Sequence, residues 1–260
     1  MTDDKGQPVE SLAADEVAVL ENGTARTLSR VEKDRRPLRL ALIVDTSEPV
    51  ADHYRLQMLD PILRFLSKLP EGTEFAVWTT GDRPTKVVDY GAGRVAATRA
   101  LQRVFPTGGN TVLDALVEAA KDLAAKEAGR SAIVVVTATG AGFANYGKEQ
   151  VVDLVRPSGA TVLAAEIEEA GSGASRASGE VSRNDYDYVL GRLAEVTGGR
   201  REILLSSMGT ANALDSFAGE LSSQYRVSFE SVAGLKDKDR KLEVKVARPG
   251  AKVRIGVPRS

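Results

Sequence analysis

The chain has 260 residues, 42% of them hydrophobic, enough for one sizeable core or for a core with a small satellite. Its 35 basic and 36 acidic residues leave a formal net charge of -1, so nucleic acid has no electrostatic footprint to recommend it as a partner. The absence of cysteine excludes disulfides, zinc thiolate sites and thiol chemistry, and no stretch approaches the roughly 20 apolar residues of a membrane span.

The opening residues 1–7 are polar and lack a signal-peptide core. Residues 15–20 and 25–31 read as strands around Glu21-Asn22-Gly23-Thr24. Asn-Gly between such runs marks a tight hairpin, because both residues tolerate positive φ. Asn22-Gly23-Thr24 is also a glycosylation sequon, but the turn accounts for it. The basic run 33–39 reads as a solvated linker. Residues 38–44 (LRLALIV) form a continuous apolar run ending at Asp45. Similar runs occupy 74–79, 132–137 and 161–165, as suits strands buried on both faces of a parallel sheet.

Residues 50–66 are expected to be helical through Leu56, Leu59, Leu63 and Leu66, with a kink at Pro61 or a restart capped by Asp60. Residues 74–89, split by Gly81-Asp82-Arg83-Pro84, read as a hairpin. Leu113, Leu116, Val117 and Ala120 form one helical stripe. Leu190, Leu193 and Val196 form a second, closed by Gly198-Gly199, and Leu214, Phe217, Ala218, Leu221 and Tyr225 a third. The Gly/Ser-rich stretch 168–184 reads as a loop. Runs 225–231 and 241–247 alternate apolar and polar around a charged turn at 236–241, as antiparallel strands do. The expected fold is therefore α/β: a doubly wound, mostly parallel sheet over 37–224, with a small antiparallel β subdomain from 1–36 and 225–260.

Ligands of open α/β sheets bind beyond the carboxyl ends of the strands. Three segments stand there: Asp45-Thr46-Ser47-Glu48-Pro49, Thr107-Gly108-Gly109-Asn110-Thr111, and Thr137-Ala138-Thr139-Gly140. Their pattern resembles the von Willebrand factor type A (VWA) domain, a Rossmann-like fold. That family builds a metal-ion-dependent adhesion site from Asp-x-Ser-x-Ser, a Thr, and an Asp in a Thr-Asp-Gly context. These are hard oxygen ligands for octahedral Mg²⁺ or Mn²⁺.

The resemblance gives Asp45, Ser47 and Thr111 as the metal ligands. Two positions depart from it: Pro49 stands where the second Ser belongs, and Ala138 (or Thr139, with the alignment slipped by one) where the Asp belongs. The implied site is degenerate, without a cofactor or with weak Mg²⁺ or Mn²⁺ binding. Over nearly the whole chain the sequence is most similar to the bacterial VWFA-related family abundant in acidobacteria. Residues 4–9, 15–23, 108–116, 224–229 and 248–250 carry that likeness in order. It implies an exported, periplasmic or secreted protein whose leader is absent from this chain, with the cytoplasm as the open alternative.

Plainer roles stand beside these. Thr111 with Asp114 fits a helix N-cap. Asp45 could accept loop amides instead of a metal, and Ser47 could cap the helix near Val50. His53 is the only histidine, and no Gly-x-Ser-x-Gly elbow accompanies it, so Ser-His-Asp catalysis has no parts. Gly108-Gly109 is no phosphate loop, since Gly-Lys-Ser/Thr does not follow. Phe143 and Tyr146 are either exposed contacts or cover for the sheet. The face expected to meet a protein partner is Glu48, Asn110, Thr139, Phe143 and Tyr146. Three functions compete: a metal-free protein-binding module for adhesion or scaffolding, a Mg²⁺/Mn²⁺-dependent adhesion domain that takes an acidic residue of its partner, and a hydrolase or transferase. For the last, no nucleophile–base pair can be assembled.

Overall fold

The computed structural model describes residues 1–3, 9, 11–125, 128–140, 142–168, 182–232 and 240–256. Most of the expected loop at 168–184 and of the charged turn at 236–241 lies outside them. In chain order the strands are β1 (Val17–Glu21), β2 (Thr24–Arg26), β3 (Leu28–Lys33), β4 (Leu38–Val44), β5 (Glu74–Thr79), β6 (Thr85–Val88), β7 (Arg130–Ala138), β8 (Thr161–Ile167), β9 (Arg200–Leu204), β10 (Tyr225–Phe229) and β11 (Leu242–Val246). The helices are α1 (Ala51–His53), α2 (Leu59–Lys68), α3 (Gly93–Gln102), α4 (Val112–Ala124), α5 (Lys148–Val155), α6 (Arg183–Val196) and α7 (Thr210–Ser222). Two compact units result: Met1–Arg35 with Ser216–Ile255, and Arg36–Asp215 with Gly256. The second division falls inside α7, where the sequence suggested a boundary after 224.

In the smaller unit the two chain ends pair with each other. β1 lies between β11 and β2, antiparallel to both, and β3 pairs antiparallel with β10. Asn22 (φ 50°) and Gly23 (φ 80°) make the two-residue turn that the sequence predicts. The expected strand 25–31 instead breaks at Thr27, and its halves join different sheets. Glu21 is fully buried and ties this unit together. It accepts hydrogen bonds from Arg26 (2.9 Å) and Ser231 Oγ (2.6 Å) and pairs with Arg240 (3.0 Å).

The larger unit holds a six-stranded sheet, order β6-β5-β4-β7-β8-β9, parallel except for the β5–β6 hairpin. Its central strands are apolar on both sides because helices cover both faces. Ala41 and Ile43 of β4, with Ile133 and Val135 of β7, pack in one cluster with Leu113, Leu116 and Val117 of α4 and Leu190 and Leu193 of α6. Leu40, Leu42 and Val44 alternate to the opposite face, where Ile62 and Phe65 of α2 and Leu101 of α3 are also buried. Phe75 and Trp78 are core, as their strand position implies.

The segment before Pro61 departs from a regular helix. A short helical turn (Glu48–Val50) leads into α1, then a π-helical turn (Tyr54–Met58), then α2. The α ladder restarts at Leu59, so Pro61 falls in its first turn, where its missing N–H leaves no bond unmade. Asp60 is inside that turn and does not cap it.

Candidate functional site

The loops that follow β4, β5 and β7 converge with the loop joining α3 to α4, and Asp45 lies at their centre with no exposed surface. Its Oδ1 accepts from the Ser47 backbone N–H (2.9 Å), Ser47 Oγ (2.6 Å) and Thr80 Oγ1 (3.3 Å). Its Oδ2 accepts from Asn110 Nδ2 (2.7 Å), the Ala138 backbone N–H (2.9 Å) and Thr137 Oγ1 (3.1 Å). Burial pushes the Asp45 carboxyl above the ordinary carboxylate range. Hydrogen bonds from Ser47, Ala138 and Thr137 oppose that shift.

The loops are held by backbone as much as by side chains. The Thr107 N–H donates to Thr46 O (2.9 Å), the Glu48 N–H to Gly108 O (2.9 Å) and the Asp82 N–H to Gly109 O (2.9 Å). Thr46 Oγ1 accepts from the Gly81 N–H at 3.0 Å. Gly81 is needed for this approach: a Cβ there would lie 2.7 Å from Thr107 O and 2.8 Å from Thr46 O. Gly108 takes φ 73°, a conformation that side chains resist.

Asp45 and Ser47 do meet, as expected from the sequence. Ser47 donates to Asp45 and does not cap the following turn. Thr111 points elsewhere: its hydroxyl donates to Thr80 O at 2.7 Å. The N-cap reading of Thr111 is corrected, since it makes no side-chain cap bond. Asn110 Oδ1 accepts from the Val112 N–H instead, at 3.0 Å. Asp114 is no capping partner either. It accepts from the backbone N–H (2.9 Å) and Nδ2 (2.6 Å) of Asn145, fixing the loop after β7 to α4.

The expected partner face is corrected in two members, Asn110 and Thr139, and Tyr146 is partly exposed. Asn110 is 1% exposed and belongs to the Asp45 cluster. Thr139 is 2% exposed, with its hydroxyl donating to Ile167 O. Tyr146 is half-buried beside α4, where Lys121 Nζ stands 5.4 Å over its ring. Glu48 and Phe143 are exposed. The Phe143 ring lies on Gly109, where a Cβ would fall 2.5 Å from it, and Pro49 packs similarly on Gly140.

Two inward hydroxyls were missed. Thr80 follows the apolar run of β5, where extending the strand-end rule would have found it, while Thr137 stood in the third strand-end segment without a role. Tyr186 of α6, also missed, is 1% exposed, and its hydroxyl is unpaired among the described residues. Burial first, then the charges of Asp45 and Glu166, push its phenol up.

Residues 40–141 match the family model for the von Willebrand factor type A domain. No curated protein sequence matches the chain. Among solved structures, the chain is similar to a von Willebrand factor type A protein from Catenulispora acidiphila (14% identity, TM-score 0.52, covering 83% of this chain and 48% of that one). It is similar to proximal thread matrix protein 1 of the mussel byssus with a zinc-occupied MIDAS motif (16%, TM-score 0.57, 78% and 50%). A third likeness is to the vWF domain of a type V pili tip protein from Porphyromonas gingivalis (11%, TM-score 0.52, 70% and 94%). The chain thus spans about half the length of the first two. Sheet order and helix layers give the α/β unit the fold of these structures, and residues 40–141 within it match the von Willebrand factor type A model.

Proposed function

We propose that this chain is a non-enzymatic protein-binding module, used in adhesion or scaffolding, whose degenerate strand-end site holds no bridging cation. One observation carries the reading. Each oxygen of Asp45 faces three protein donors, and one donor is the amide N–H₂ of Asn110. An –NH₂ group offers hydrogens where a cation requires lone pairs. Pro49 and Ala138 bring no side-chain oxygen. The residues present do not fit a hard divalent ion.

VWA domains act typically as interaction modules, and the similar solved structures include a pilus tip and a byssal matrix protein. Export to the periplasm or exterior is part of the proposal. No helix among the described residues is long and apolar enough to cross a membrane.

Equilibrium dialysis against Mn²⁺ tests the reading. Retention no greater than that of Asp45→Ala is expected. One ion per chain, lost in Asp45→Ala, would instead establish a metal-dependent adhesion domain.

A further inference from the structure

Away from Asp45, the described surface carries large apolar side chains in the open: Leu56 is 83% exposed, Phe105 76%, Leu205 86% and Met208 76%. Scattered singly, such residues need no explanation. Here they are joined. The π-helical turn that carries Leu56 is flanked on one side by residues 104–105. The Arg55 guanidinium stands 5.0 Å over the Phe105 ring and donates to Val104 O at 3.4 Å. Ser207, which lies between Leu205 and Met208 in the chain, donates to Gln57 of the same turn. The loop holding Phe105 continues into Thr107, which is bonded to Thr46, so the strip borders the strand-end loops.

We propose that this strip, Phe105, Arg55, Leu56, Leu205 and Met208, is the docking surface of the protein-binding function argued above, on which the inference rests. Its occupant is a protein segment with a carboxylate flanked by apolar side chains. The composition fits that partner. Arg, aromatic residues and Met are the types enriched where interfaces draw their energy, and Met adapts to the shape it meets. Arg55 is always charged, and stacking on Phe105 holds its planar fork ready for a carboxylate. Of the five residues it is the only charged one, so a partner acid complements the strip and a partner cation does not. Arg55 and Leu56 are both exposed on the π turn, a feature that recurs at functional sites.

The test is selection from a random-peptide phage library on the full chain, followed by affinity measurement of the recovered peptides. Peptides with Asp or Glu between apolar residues are expected. Arg55→Gln and Leu56→Asp are expected to weaken them on the order of tenfold or more. Leu154→Asp, on the exposed side of α5 and outside both the strip and the strand-end loops, is expected to leave them unchanged. Unaltered melting curves would show that these exposed substitutions spare the fold. Recovery of no peptide, or of peptides indifferent to both strip variants, overturns the proposal. Peptides sensitive only to Phe143→Asp move the surface to the strand-end rim and leave protein binding standing. A dimer seen by sedimentation and abolished by Leu56→Asp makes a second copy the occupant and overturns the acidic segment. The metal-free reading itself fails only in the Mn²⁺ dialysis.

Discussion

The amide nitrogen of Asn110 stands 2.7 Å from Asp45 Oδ2 and 2.8 Å from Thr137 Oγ1, while its oxygen accepts from the Val112 N–H. Asn110→Ala would leave Asp45 and the start of α4 short of partners. A loss of about 1–3 kcal/mol in urea denaturation is expected, and no measurable change would remove Asn110 from its central role. Asn110→Asp would place a second carboxylate against a buried one. Like charge and burial both raise the pair's pKa, so the folded state would hold more protons than the unfolded. The pair's contribution to stability is then fully present below the unfolded value of about 3.9 and is lost as pH rises through the raised folded value. A flat pH profile would contradict this. Asp45 and Ser47 were legible because a carboxylate and a hydroxyl at a strand end have few alternatives. Asn110 and Thr111 were not, since a shift of one residue in a loop exchanges the side chain that turns inward.

At the scale of elements, the long apolar runs of β4, β5, β7 and β8 and the stripes of α4, α6 and α7 could be read directly, because burial on one face or both imposes its own period. Edge strand β9 (RREIL) escaped notice because charged residues serve there, with Arg201 paired to buried Glu166 at 2.6 Å. The two-turn helix α5 gave too short a stripe, and nothing at Thr27 marks the exchange of partners between β2 and β3. Loop convergence depends on Gly81. Gly81→Ala is expected to cost about 1–3 kcal/mol, because backbone oxygens of two other loops must move. A melting temperature equal to that of the unsubstituted chain would show that the loops yield freely. In the smaller unit, hydrogen bonds from Ser231, then Val232 and Arg26, hold Glu21 below the ordinary glutamate range despite its burial. A carboxylate of depressed pKa stabilises above its unfolded pKa and loses that contribution as pH falls through the folded value. Protection factors of the β1 and β11 amides, that is, exchange corrected for its intrinsic pH dependence, should therefore fall under acid, and Glu21→Gln should flatten that fall. Protection that does not change with acid would mean that Glu21 is not what binds the unit together.

At the scale of the molecule, charge balance and the lack of cysteine narrowed the chemistry to oxygen ligands and surfaces. The α/β class followed from strand and helix alternation. The pairing of the two chain ends was visible as alternation alone, while its split into two sheets depended on partners distant in sequence. The proposed function requires that the strand-end loops of this VWA-like fold hold Asp45 with internal donors in place of a cation. Anything that binds only the folded state raises its stability by mass action. The most direct measurement is the melting temperature in EDTA and in millimolar Mg²⁺, Mn²⁺ and Ca²⁺, for this chain and for Asp45→Ala. Coincident curves for this chain under all four conditions, with Asp45→Ala melting lower in each, are the predicted result. A rise with any of these ions that Asp45→Ala abolishes would contradict the account.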